Sequence, residues 1–176
     1  SKDYVGTYDG IEINGSWDDG DKKTLQETYA FWNKGKKYTT LATSDTHNVW
    51  QASGGSGNLR TYVYVDGKLT VDKFVKALDQ QKAFWSYGPL VYMEANGKVP
   101  GETVSEDTVT LRAMLKSTDG LKKAVLIKNG KEVKTFDLAG NTYIIGHSKN
   151  VQGDGWYALK VVEKDGDLAH TNPIWY

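Results

Sequence analysis

An aspartate and a histidine stand two residues apart at the end of a β-branched run, TTLATSDTH, residues 39–47. In an extended chain, residues i and i+2 project to the same side. Asp45 and His47 are therefore expected to leave the strand end together. A carboxylate beside an imidazole is a pair that Zn, Mn or Fe can use. The same residues also fit a plainer pattern, a strand-end aspartate capping a turn and a surface histidine. Two ligands fall short of the three protein ligands that catalytic zinc usually has. The chain has no cysteine, which excludes disulfides, Cys-type zinc sites and thiol nucleophiles. The other two histidines, His147 and His170, read as loop or strand-edge residues, and no Ser/His/Asp spacing supports a triad.

The elements that would position the pair can be read on either side of it. YDGIEI (8–13) reads as a short strand closing on the turn signals Asn14-Gly15 and Asp19-Gly20. Asp21 is placed to N-cap a helix over Lys22–Lys34, whose Leu25, Tyr29 and Trp32 fall on one face, with Gly35 at its end. With TTLATSD following, this is a strand–helix–strand unit of the kind that builds parallel sheets and barrels. The loop QASGGSGN (51–58) does not match a phosphate-binding P-loop and reads as a lid or linker. Arg60 opens the strand RTYVYV, where it could meet a phosphate or stand as an ordinary surface arginine. Thr70 is a plausible N-cap for a second helix carrying Phe74, Ala77 and Leu78.

After Gly88-Pro89 the texture changes to period-2 runs (LVYMEA, TVTLRAML, KKAVLIKNG, YALKVVEKDG, PIWY). Asn-Gly or Asp-Gly turns fall at 96–97, 119–120, 129–130 and 165–166. Short strands with hairpin turns predict an antiparallel sandwich of Ig-like type. The expected division is 1–88 and 89–176. Six tryptophans and eleven tyrosines suit either a sandwich core or a sugar-stacking face. Trp156, Tyr157 and Trp175 lie in strand-like segments, which favours the core.

Hydrophobic residues make up 39% and charged residues 25% of 176, a globular composition long enough to bury a sizeable core. Lys+Arg and Asp+Glu are 22 each. A formal net charge of zero argues against bulk electrostatic binding to nucleic acid or anionic membrane. No run of about 18 apolar residues exists to span a bilayer.

Taken in order, YDGIEI, a helix, LATSDTHN, RTYVYV, a helix running into AFWSYGP, and a β region closing on HTNPIWY resemble the C-terminal part of PHP-domain metallohydrolases, closest to the CehA/McbA-like branch. The likeness spans nearly the whole chain. It implies an α+β fold: a βα fragment of a PHP-type (β/α) barrel followed by an antiparallel Ig-like β-sandwich. It implies that Asp45 and His47 are metal ligands from the family's final Ser-Asp-x-His motif. Glu12 and Asn14 would open onto the same barrel rim, and Arg60 would face substrate. The family's earlier His-x-His motif has no counterpart here, so the resemblance implies a piece that begins after most of the barrel. The parent would be a metal-dependent phosphoesterase or related amide/ester hydrolase using Zn, Mn or Fe on a small-molecule ester or phosphate. The piece alone is expected to be inactive and to hold no metal. It would self-associate through an exposed barrel edge carrying Ile11, Ile13 and Leu41. The alternative is a non-catalytic β-sandwich module that binds carbohydrate or a protein.

Overall fold

The computed structural model describes residues 8–14, 17–48 and 55–176. Gly15 of the first turn signal and residues 51–54 of the glycine/serine loop lie outside them. The described residues form twelve strands and two helices. First come β1 (Gly10–Asn14), α1 (Asp19–Trp32), β2 (Thr39–Thr43), β3 (Arg60–Val63), α2 (Val71–Asp79) and β4 (Ala83–Ser86). Then follow β5 (Leu90–Ala95), β6 (Thr108–Lys116), β7 (Leu121–Lys128), β8 (Lys131–Asp137), β9 (Thr142–Asn150), β10 (Trp156–Glu163), β11 (Leu168–Thr171) and β12 (Ile174–Trp175).

The expected barrel fragment does not form. The chain is mainly β and sandwich-like. β3 and β4 pair antiparallel, and β4 joins β11 of the distal segment, giving the sheet order β3-β4-β11-β10-β7-β8. The sheet therefore runs straight across residue 88, where the sequence texture predicts a change of domain. The physical reason is burial. AFWS in β4 and LAHT in β11 are buried at every position, so these strands need cover on both faces, as central strands of a large sheet do.

Two layers supply that cover. One face of the large sheet packs on the sheet β5-β6-β9. Val91, Met93, Leu111, Leu115 and Ile145 meet Leu126, Tyr157, Leu159 and Val161 there. Strand β6, TVTLRAMLK, alternates buried and exposed along this core, as a strand with one solvated face must. The other face of the large sheet carries α1, β1 and β2. Ile13, Leu25 and Ala42 pack with Trp85 and Leu168, and Trp32 packs with Trp156, Ala158 and Trp175. Edge strand β8, KEVKTFD, is exposed almost throughout, and its charges discourage further pairing.

Helix α1 starts on Asp18, not on Asp21. The Asp18 carboxylate accepts from the Gly20 and Asp21 amides, and Asp21 Oδ2 accepts from the Asp18 amide at 3.1 Å. This reciprocal capping box satisfies donors that a helix start leaves free. The second oxygen of Asp21 accepts from the Asn14 amide at 2.9 Å, tying the end of β1 to the start of α1.

Strands β1 and β2 pair in parallel, Gly10 to Thr39 through Asn14 to Thr43, but form a two-stranded sheet by themselves. Side chains bridge this pair to the large sheet. Thr61 Oγ1 accepts from the Ala42 amide and donates to the Ala42 carbonyl. Asn172 Oδ1 accepts from the Thr40 amide and hydroxyl, while its Nδ2 donates to the carbonyls of Thr40 and Ala83. Two polar side chains thus take the place of a ladder. The apolar edge expected to lie open is closed within the chain: Ile11 is 4% and Ile13 0% exposed. Leu41 is half-buried.

Candidate functional site

The Asp45–His47 pair lies just past the C-terminal end of β2. His47 Nε2 is 3.1 Å from Asp45 Oδ1. Strand alternation is not what brings them together. β2 ends at Thr43, and Asp45 has φ +47°, a left-handed conformation that aspartate tolerates better than most residues. A turn over Ser44–Thr46, with the Thr46 hydroxyl 3.1 Å from the Ser44 hydroxyl, carries the two side chains to one side.

Neighbouring β1 supports this turn. Asn14 Nδ2 donates to Asp45 Oδ2 at 3.3 Å, and the Thr43 hydroxyl donates to Glu12 Oε1. Glu12 and Asn14 both point to the exposed side of β1, so alternation does hold for that strand. The structure thus gathers Asp45, His47 and Asn14, with Glu12 one rung away. Arg60 is committed elsewhere: its Nε donates to the Gly57 carbonyl and its Nη1 to the Tyr62 hydroxyl.

The pair is open to solvent. The Asp45 and His47 side chains are 47% and 72% exposed. Two grooves are lined by other residues, one around Trp32, Trp156 and Trp175 and one around Trp17, Tyr29 and Lys160. As for fit to a metal, carboxylate oxygen and imidazole nitrogen suit Zn, Mn or Fe. Their 3.1 Å separation is close to the roughly 3.0–3.4 Å between neighbouring ligand atoms at zinc bond lengths. The pair offers two donor atoms, where a catalytic zinc needs three or more protein ligands.

His170 is no edge residue. It is fully buried in β11, stacked on Trp85 at 5.6 Å between ring centroids. Its Nδ1 is 2.8 Å from the Thr171 carbonyl and its Nε2 2.6 Å from the Tyr29 hydroxyl. Trp156, Tyr157 and Trp175 are 1%, 2% and 7% exposed, which removes them from any sugar-stacking face. Sequence reasoning missed a group of carboxylates, Asp119, Glu163 and Asp165. Asp119 and Asp165 sit in two turns far apart in the chain and Glu163 at the end of β10, and only the Asp-Gly turn signals at 119–120 and 165–166 marked the place.

No family model matches the chain. No curated protein matches it. Four solved chains do, among them the crystal structure of an engineered protein at 14% identity and a TM-score of 0.34. That match covers 94% of this chain and 47% of the other, so this chain spans about half its length. At that score the likeness establishes neither fold nor function.

Proposed function

We propose that this chain supplies two metal ligands, Asp45 and His47, to a metal-dependent hydrolase of the PHP type acting on a phosphate ester or a related ester or amide. The observation that carries the reading is the convergence of the two side chains at the C-terminal end of parallel β2, with Asn14 from the matching end of β1 bonded to Asp45. A bound divalent ion would lower the pKa of its water and polarise the scissile oxygen. Asp45 supplies charge and one oxygen, Oδ1, which faces His47 Nε2 across the place an ion would take, while Asn14 holds the second oxygen. His47 ligates through Nε2. Further ligands come from outside the described pair, and a second copy of the chain is one route to them.

The test is a Zn²⁺ titration followed by the ring ¹⁵N signals of His47. A selective shift of Nε2, lost in Asp45→Ala, is expected at millimolar metal. A His47 ring that ignores zinc, or responds identically in Asp45→Ala, overturns the reading.

A further inference from the structure

Three turns meet at one end of the sandwich. The β6–β7 turn brings Ser117–Gly120, the β10–β11 turn brings Lys164–Asp167, and the β4–β5 turn brings Tyr87–Pro89. The first two are tied by the Lys164 amide, which donates to the Gly120 carbonyl at 2.9 Å. Where they meet, Asp119, Glu163 and Asp165 place one carboxylate oxygen each within 4.8 Å of one another. Asp119 and Asp165 are exposed. Glu163 is 0% exposed, and among the described residues neither of its oxygens has a hydrogen-bond partner. No ion pair to a lysine or arginine involves any of the three among the described residues.

A buried carboxylate without partners is costly, and native structures pair such groups or bind a metal with them. The Ser117 hydroxyl oxygen accepts from the Asp119 and Gly120 amides. Burial pushes the Glu163 carboxyl above the ordinary range; Ser117 opposes this, and the charges of Asp165, Asp119 and Asp167 add to it. The room for this carboxyl is made by Gly88, where a Cβ would run into Glu163 Oε2.

The geometry points to a binding site for a hard divalent cation of the calcium class, held by Glu163 from below and by Asp119 and Asp165 at the surface. Two oxygens bound to one calcium at about 2.4 Å lie at most about 4.8 Å apart, and the three carboxylates meet that limit. An all-oxygen set with water filling the remaining positions suits Ca²⁺ better than Zn²⁺. The ion would lock two turns that are otherwise joined by one backbone bond, and would neutralise the charge that Glu163 carries inside the fold. This site involves neither Asp45 nor His47 and stands whether or not the hydrolase reading does.

Calorimetric titration of the 176-residue protein with CaCl₂ is the test, with amide chemical shifts recorded in parallel. The expected result is one saturable site with Kd in the range of about 10⁻⁴–10⁻³ M. Shifts should be confined to Gly88, Ser117–Gly120 and Glu163–Asp167. Glu163→Gln, which keeps shape without charge, should weaken binding at least tenfold and still fold. Asp119→Asn and Asp165→Asn, both on exposed turns, should each weaken it several-fold, and His47→Ala should leave it unchanged. No saturable binding up to 10-fold above that range, or binding unaltered in Glu163→Gln, overturns the inference.

Discussion

The Tyr29 hydroxyl, on α1, stands 2.6 Å from Nε2 of His170, on β11. Because Nδ1 faces the Thr171 carbonyl, which can only accept, Nδ1 carries the proton and Nε2 accepts from Tyr29. One hydrogen bond thus joins the helical layer to the centre of the large sheet. Burial pushes the imidazole down to about 3; the Thr171 carbonyl opposes the shift and Lys160 adds to it. An unfolded histidine titrates near 6.5, so between about pH 6.5 and 3 the unfolded chain binds the extra proton. Stability from this group is full above pH 6.5 and declines as pH falls, by at most about 1.4 kcal/mol per pH unit. Denaturant unfolding at pH 7 and 4.5 measures the loss, and ring ¹⁵N spectra should show neutral His170 at pH 5. A His170 that titrates near pH 6 would refute the assignment.

Removing the donor tests the same contact from the other side. Tyr29→Phe leaves a buried Nε2 with no partner, at an expected cost of about 1–3 kcal/mol. The substituted ring keeps the aromatic contacts that Tyr29 makes with Trp32 and Trp156, so the packing change is small. Urea unfolding of the variant at pH 7 reads this directly; a change below a few tenths of a kcal/mol would mean the bond contributes nothing net.

What the sequence disclosed depended on whether one side chain per residue met one environment. TVTLRAMLK alternates because β6 has one wet face, and that is legible. Asn96-Gly97 and Asn129-Gly130 both have positive φ at each residue, as two-residue hairpins demand. AFWS and LAHT carry no period because both faces are covered, and a fully buried strand cannot be assigned to a sheet by pattern. Pattern alone therefore groups β4 with the helical segment and not with β11. His170 reads as an edge residue for a related reason: its partners Tyr29 and Trp85 lie far away in sequence. The meeting of Asp45 and His47 was legible, but through a turn and not through strand alternation. The Glu163 group was not legible, since Asp119 and Asp165 look like ordinary turn aspartates until Glu163 is seen beneath them.

Asn172 joins β2 to β4 through four hydrogen bonds, using both amide hydrogens and both lone pairs. Asn172→Ala strips partners from Thr40 and Ala83 together and leaves a small cavity. The expected destabilisation is about 2–4 kcal/mol. Asn172→Asp should be at least as harmful, because a carboxylate cannot donate to the two carbonyls and would be buried charged. Thermal unfolding of both variants checks the order, and an aspartate variant as stable as the parent would show that a donor is not needed there.

Gly101 has φ +87°, and a Cβ on it would run into the carbonyl of Gln80. Its amide donates to the Pro173 carbonyl at 2.7 Å, so the backbone cannot shift without losing a contact to the C-terminal segment. Gly101→Ala combines left-handed strain with a backbone clash, and a loss of at least about 2 kcal/mol is expected. The midpoint of chemical denaturation reports it. An unchanged midpoint would mean the 99–103 loop adapts freely.

The last expectation concerns turnover. On the proposed reading Asp45 and His47 would give two ligands on an open surface, and a catalytic ion needs three or more plus an open position. Without a walled site, a bound ion also loses the water exclusion that strengthens its field on the substrate. The 176-residue chain with Zn²⁺ or Mn²⁺ should therefore hydrolyse a generic aryl phosphate no faster than the free metal does. Two measurements make this decisive. Turnover that rises with the square of protein concentration and vanishes in Asp45→Ala would show that a second copy completes the site, and light scattering at the same concentrations would show the dimer. Turnover linear in protein and indifferent to Asp45→Ala would place the chemistry elsewhere and remove Asp45 from it. The absence of turnover in both proteins, together with zinc-dependent shifts at His47, is the outcome expected of a pair that binds the ion but needs further ligands for turnover.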